Sequence, residues 1–407
     1  MKHKALITLT LLAATAFTSL ADDIVTDNFK FADKQLKHAF TEIEAAKATL
    51  TPKEVKAGAF APRNIETDGR LHLVASRDWC SGFFPGELWY MYEFTGDDFW
   101  RTKALEFTAP VEAEKTNAGT HDMGFKVYCS FGNGYRLTGD KKYRDILIES
   151  ARTLITRYRP TVGCIRSWDH HKEKWEFPVI IDNMMNLELL FWATRETGDS
   201  TFYNIAQTHA LTTMKNHFRD DFSSFHVVDY DTITGKVNMR CTHQGYSDSS
   251  AWSRGQAWGI YGYTMCYRET GNPLFLNQAK AIADYIFSST TLPDDYVPYW
   301  DYNAPKIPNE PRDASAAAVT ASALYELSMY DRENAKIHKD RADRIVESLA
   351  NHYRAKAGAD RGFLLLHSVG SGNSNSEMDV PLIYADYYFL EALLRKQKLE
   401  KEGTALL

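Results

Sequence analysis

Asp182 stands in FPVIIDNMMNLELLFW (177–192), one of the most apolar stretches of the chain, with Asn183 and Asn186 close behind it. A carboxylate in such surroundings is rarely left unpaired, because desolvating its charge is costly. Two roles fit the position. Asp is a favoured N-cap and Asp182 directly precedes an apolar helix; the same carboxyl is also suitably placed for proton transfer. Asp122 stands likewise before an apolar segment in THDMGFKVYCSFGNGYRLTGD (120–140). If both helices run the same way, both aspartates face one cleft, and a pair of carboxyl groups is what sugar-cleaving sites use. A helix N-terminus lowers a carboxyl pKa, whereas burial and a like charge raise it, as a general acid requires.

A second group lies in AWSRGQAWGIYGY (251–263), where Trp252 and Trp258 flank Arg254 and Gln256 at the start of another expected helix. Tryptophan faces stack on sugar rings, and arginine grips carboxylates as a fork. Together they point to an acidic sugar. Trp79 occupies a similar helix entrance in DWCSGFFPGELWYMYEFTGD (78–97). His121, His226 and His243 lie near these motifs and read as loop histidines making ordinary hydrogen bonds. HExxH, GxSxG, Walker A and a post-strand GxGxxG are absent, and His170 and His171 are adjacent, a poor geometry for one metal. No metal and no cofactor are expected.

The elements that must position these residues are announced by a recurring phrase: YEFTGDDFW (92–100), YRLTGDKKY (135–143), RETGDSTFY (195–203) and YRETGNPLF (267–275). Its glycine suits a left-handed helix C-cap, and the Asp or Asn after it suits the N-cap of the next helix. The chain should therefore repeat helix, tight turn, helix. After Gly139, Tyr143, Leu147, Ala151, Leu154 and Tyr158 fall on one helical face with Arg144, Glu149 and Arg152 between them, so this partner has a wet side. Before Gly198, Met184 to Trp192 are apolar nearly all round. The alternation predicts an all-α fold, with buried inner helices inside a ring of amphipathic outer ones. Intervals of 43, 59 and 73 residues between the four glycines exclude a regular solenoid. The surplus must form long loops at one end, chiefly 163–178 and 225–250, the second carrying a short hairpin turn at DYDTITGK.

The N-terminus reads as a secretory leader over residues 1–21: Lys2 and Lys4, an apolar run from Ala5 to Phe17, and a Ser19-Leu20-Ala21 cleavage site. Residues 22–407 then form a single catalytic domain, exported most simply to the periplasm, with no membrane span. Loss of Lys2 and Lys4 takes the formal charge from −6 to −8. With no basic tract, a nucleic-acid partner is not expected. Five scattered cysteines, none in a CxxC pair, read as buried apolar residues rather than a disulfide framework.

Taken together, HDMGF (121–125), IIDNMMNL (180–187), WSRGQAW (252–258) and DVPLIYADYYFLEALLR (379–395), set in order among the TGD turns, resemble glycoside hydrolase family 88, the unsaturated glucuronyl hydrolases. The resemblance runs from about Trp79 to the C-terminus. It implies an (α/α)6 barrel with long loops at the active-site end; a monomer or weak homo-oligomer is expected. The implied activity is release of a 4,5-unsaturated uronic acid from the non-reducing end of lyase-generated oligosaccharides. By the same resemblance Asp182 is the general acid/base and Asp122 the second essential carboxylate. His226, Gln244, Trp252, Arg254 and Trp258 fall on substrate positions, with Trp79 stacking. The implied reaction is hydration of the ring double bond: Asp182 protonates C4, then helps water add at C5, and the hemiketal opens.

Relatives acting on sulfated fragments tend to carry Ser-x-x-Ser-x-Lys in a C-terminal loop. Here HSVGSGNSN (367–375) offers Ser368 and Ser371 as substrate contacts but Asn373 in the lysine position. Heparin-, chondroitin- and hyaluronan-derived disaccharides all remain open. The rivals are an unsaturated rhamnogalacturonyl hydrolase acting on pectin fragments, a non-catalytic oligosaccharide-binding protein, and a helical-repeat scaffold, which the uneven intervals disfavour.

Overall fold

Gly96, Gly139, Gly198 and Gly271 all take a positive φ, between 65° and 73°, and their N–H groups close the preceding helices onto Tyr92, Tyr135, Thr194 and Tyr267. An L side chain is strained at such angles, which is why glycine recurs there. Asp97, Asp140, Asp199 and Asn272 each accept a backbone N–H from two residues on and start the next helix. The four repeated phrases are thus four inner-to-outer helix turns.

The computed structural model describes the backbone from residue 2 and side chains from residue 24; the side chains of the leader expected over residues 1–21 lie outside what is described. Helix α1 (Lys2–Lys47) is followed by the short α2 (Pro52–Ala57) and the hairpin β1 (Ala61–Ile65) and β2 (Leu71–Val74). Helix pairs then succeed one another: α3 (Phe83–Thr95) with α4 (Asp98–Thr108), and α5 (Asn133–Thr138) with α6 (Lys141–Ile155). Next come α7 (Leu187–Thr197) with α8 (Ser200–Asn216), α9 (Ser253–Thr270) with α10 (Pro273–Ser288), and α11 (Ala314–Tyr330) with α12 (Ala335–Ser348). The last helix, α13 (Ile383–Glu402), packs against α1, α3 and α11. A π-helical stretch, Gly124–Gly132, leads into α5, and a 3-10 turn, Ile181–Asn186, leads into α7. The inner members contact one another in a closed ring, α3, α5 with its π stretch, α7 with its 3-10 turn, α9, α11 and α13. This is the (α/α)6 barrel. Small residues along α11 (ASAAAVTASA) keep it thin, and it is buried from Ala314 to Ser328 between α9 and α13.

Two expectations are corrected. Helix α6 ends at Ile155, so Tyr158 leaves the helical face and joins β3 (Tyr158–Arg159), paired with β4 (Cys164–Ile165). The α11–α12 junction has no glycine: Asp331 closes α11 with φ of −86°, its carboxylate held by His338 Nε2 at 2.9 Å and Lys280 Nζ at 3.0 Å. That junction carries no repeated phrase, and the sequence pattern passed over it. All five cysteines are unpaired and buried. Among the described residues no helix is long and apolar enough to cross a membrane.

The long loops gather where the inner helices begin. They build an antiparallel sheet in the order β5 (Pro178–Ile180), β6 (Val227–Tyr230), β7 (Val237–Cys241). The DYDTITGK turn joins β6 to β7, with Asp231 Oδ1 accepting the Ile233 and Thr234 N–H groups and Gly235 at φ 71°.

Glu87 is wholly buried in α3 with neither carboxyl oxygen hydrogen-bonded, near Asp386, which accepts the Leu364 and Leu365 N–H groups. Burial, and then the Asp386 charge, push the Glu87 pKa well up. A carboxyl with a raised folded pKa contributes its stability below the unfolded value and loses it as pH rises toward the folded one. Glu87→Gln is therefore expected to stabilise the fold by about 1–3 kcal/mol at pH 8 and by less at pH 5. Denaturant melts at the two pH values check this; an equal or negative change at pH 8 would mean that Glu87 is not the strained group.

Candidate active site

Pairing of Ile180 with Val227 aligns the end of β5 with the start of β6, and the Ile181 N–H donates to the His226 carbonyl at 3.1 Å. That register sets Asp182 beside His226, with Asp182 Oδ2 3.6 Å from His226 Nε2. Asp182 lies inside the 3-10 turn, five residues before α7, and caps nothing: neither Ile180 nor Asn186, the residues at the two cap positions, makes a side-chain cap. The capping role is thus corrected. The asparagines hold the turn instead. Asn183 Nδ2 donates to the Ile165 carbonyl at 2.8 Å, and Asn186 Oδ1 accepts the N–H groups of Gly124 and Phe125, tying the Asp182 turn to the helix that follows Asp122.

Burial raises the Asp182 pKa to about 7. The Arg254 charge and the residue's own backbone N–H oppose this; Asp122 adds to it, and the nearby Trp258 indole N–H slightly offsets it. The tension between helix terminus and burial is thereby resolved in favour of burial. Asp122 is partly exposed. Its Oδ2 accepts the Thr120 hydroxyl at 2.5 Å and its Oδ1 lies 3.2 Å from Nε2 of the buried His121.

Arg254 is buried against the Trp252 ring, 4.5 Å to the ring centroid, and the Tyr384 ring at 5.1 Å. Its fork is engaged. Nη1 bonds Asp313 Oδ2 at 2.9 Å and the Val369 carbonyl, Nη2 bonds the Gly370 carbonyl at 2.6 Å, and only Nε has no partner. Gln244 Nε2 reaches the same Gly370 carbonyl at 3.0 Å. These two side chains therefore hold the 367–380 hairpin against the cleft. Glu377 pins its far side to Arg63, which also binds Asp78 next to Trp79. Within the hairpin, Ser368 is wholly buried and its hydroxyl accepts the Ser315 N–H, so it does not face a ligand. Ser371 is half-buried, with its hydroxyl bonded to that of Ser374.

Trp79 leaves part of its ring accessible beside Tyr384, 4.8 Å between centroids, whereas Trp258 is fully buried between Phe125 and Tyr388. The structure thus brings together Asp122, Asp182, His226, Gln244, Trp252, Arg254 and Trp258, with Trp79 at the Asp122 side. Sequence reasoning passed over Asp313, Tyr384 and Trp168. Asp313 precedes an apolar run as an N-cap and accepts the Ser315 and Ala316 N–H groups, so its position was readable. Trp168, 6.5 Å from His226 between ring centroids, and Tyr384 had no local signal.

Among the described residues no group of three or more His, Cys, Asp or Glu is arranged to hold a metal ion. A cavity of about 650 Å³ lies toward the opposite end of the barrel, but its arginines and glutamates pair with each other, Arg268 with Glu188 and Glu269, and Arg395 with Glu391. It is the cleft end that carries a buried, unpaired carboxyl.

No protein-family model matches the chain. Among characterised proteins it is 48% identical to an unsaturated glucuronyl hydrolase of Formosa agariphila, over 97% of this chain and 99% of that one. It is 35% identical to an unsaturated chondroitin disaccharide hydrolase of Streptococcus pneumoniae, over 83% and 86%. Among solved structures it superimposes on an unsaturated glucuronyl hydrolase specific for heparin, with a TM-score of 0.87, 47% identity, and 93% and 98% of the two chains covered. The enzyme of Bacillus sp. GL1, responsible for degradation of glycosaminoglycan, superimposes with a TM-score of 0.80 at 30% identity, over 95% and 98%. With this barrel, this pair of carboxyl groups and identity of this extent, the chain belongs to the unsaturated glucuronyl hydrolases, the glycoside hydrolases of family 88.

Proposed function

We propose that the protein removes a 4,5-unsaturated uronic acid from the non-reducing end of glycosaminoglycan oligosaccharides left by polysaccharide lyases, and that heparin-derived disaccharides are its preferred substrates. The observation that carries this reading is Asp182: a buried carboxyl with a pKa near 7, without a hydrogen-bond partner on Oδ2, beside a second carboxylate. A general acid works best when its pKa lies near the operating pH.

In this reading the enol ether of the sugar ring lies against Asp182, which gives its proton to C4 while positive charge develops at C5 and the ring oxygen. Asp122 supplies negative charge near that cation. The Asp182 carboxylate then takes a proton from the water that adds at C5, and the hemiketal opens to release the leaving sugar. One group changes from acid to base.

The heparin preference rests on sequence identity. The heparin-specific relative is 47% identical, against 33–35% for the chondroitin disaccharide hydrolases. Asn373, where relatives acting on sulfated fragments carry a lysine, removes a cation from that loop and by itself favours none of the fragments. The test is to mix the protein with unsaturated disaccharides from heparin, chondroitin, hyaluronan and pectin and follow the ultraviolet absorbance of the double bond. Loss of absorbance fastest on the heparin product is expected. Turnover of the pectin product alone, or of none, would overturn the proposal.

A further inference from the structure

His226 is fixed by its surroundings more tightly than a substrate contact needs to be. Its Nδ1 accepts two backbone N–H groups, from His243 at 3.0 Å and Gln244 at 3.1 Å. A ring nitrogen that receives two donors carries no proton of its own, so the neutral imidazole must hold its hydrogen on Nε2. A second proton would set an N–H against two others, which bars the imidazolium. The surroundings agree: burial, then the neighbouring His243, Arg254, His217 and His121, hold the His226 pKa well below its usual range.

The hydrogen-bearing Nε2 points at Asp182. It lies 3.6 Å from Oδ2, just outside hydrogen-bonding distance; both atoms are buried and neither has another partner. Catalytic contacts are often loose before substrate binds and tighten in the complex. The Ile181 N–H to His226 carbonyl bond fixes the two backbones relative to each other. The remaining groups acting on Asp182 are Arg254, its own N–H, Asp122 and Trp258.

We infer that His226 is a positioning residue: it donates Nε2–H to Asp182 Oδ2, so that the proton given to the substrate is held on Oδ1. The inference rests on the hydration reaction proposed above and adds to it a reason for one orientation of the acid. Because His226 stays neutral, it neither supplies the proton nor competes for it. The amides of His243 and Gln244 act through the ring, and the 241–250 loop thereby sets the state of a carboxyl it does not touch.

The test has two independent arms. In wild-type protein, nitrogen NMR of the histidine rings is expected to show His226 neutral, with Nε2 protonated and Nδ1 bare, from pH 5 to 8. The opposite tautomer, or a cation in that range, would overturn the inference without any variant. In the second arm kcat and KM are measured against pH for His226→Gln, which keeps an N–H near the Nε2 position, and His226→Phe, which removes it. A hydrogen bond to the carboxylate lowers its pKa, so His226→Phe should move the basic limb of kcat upward by about one pH unit and lower kcat by roughly tenfold or more, while Gln should keep the limb in place and lose less in kcat. A loss confined to KM with the limb unmoved would make His226 a substrate contact only. Wild-type inactivity on every unsaturated disaccharide would instead sink the proposed reaction, and the NMR result would stand apart from it.

Discussion

Asp182→Asn is expected to leave a folded protein whose kcat on its best unsaturated disaccharide falls by about 10²–10⁴-fold, the range for loss of a general acid/base. The replacement keeps shape and removes only the transferable proton. Asn183 and Asn186, not Asp182, hold the turn, so its backbone should stay in place. The pH dependence of the wild type gives the complementary result. Asp182 must be protonated to act, and its pKa is about 7, so kcat should fall as pH rises through that value. Stability moves the same way. A carboxyl raised from 3.8 to about 7 contributes fully below the unfolded value and loses its contribution as pH climbs between the two. At pH 8 the Asn variant should therefore unfold at a higher temperature than wild type, by linkage a gain of at most about 4 kcal/mol. A variant that turned over at the wild-type rate, or a kcat limb unrelated to pH 7, would remove Asp182 from the chemistry.

The parts of this arrangement that could be read in advance are those written locally. The four TGD and TGN phrases spell out a C-cap and an N-cap in consecutive residues, and each forms the turn expected of it. The apolar run before Gly198 becomes a helix buried on both sides. Asp331, by contrast, closes its helix through Lys280 and His338, and the former lies 51 positions away. The site shows the same divide. Asp182 and Asp122 announced themselves as charges beside apolar runs, but the capping role assigned to Asp182 failed because a 3-10 turn, not the helix itself, begins there. Arg254 was read as a free fork for a substrate carboxylate. Its partners, Asp313 and the carbonyls of Val369 and Gly370, come from segments 59 to 116 residues downstream, beyond any local pattern. Ser368 looked available because nothing near it in sequence shows that α11 covers it.

Arg254→Met should be the most disruptive single change in the cleft after loss of Asp182, and for a different reason. It leaves Asp313 as a buried charge without its cation, an uncompensated loss of about 3–5 kcal/mol. It also releases the Val369 and Gly370 carbonyls and so loosens the cleft side of the hairpin, leaving Gln244, Ser315 and Arg63 to hold it. Misplacement of a positioned group by about 1 Å is worth on the order of 10²-fold, so kcat/KM should fall by at least that much. The Arg254 charge lowers the Asp182 pKa, and its removal should carry the basic limb of the pH profile above 7. The double change Arg254→Met with Asp313→Asn separates the two effects. Asn keeps the N-cap of α11 while discarding the stranded charge, so much of the stability should return. Activity should not, because the hairpin remains loosened on its cleft side and the field at Asp182 remains altered. Denaturant melts and pH–rate profiles of the two variants check this. If activity returned along with stability, Arg254 would matter to the fold alone and the hairpin's hold on the cleft would be incidental.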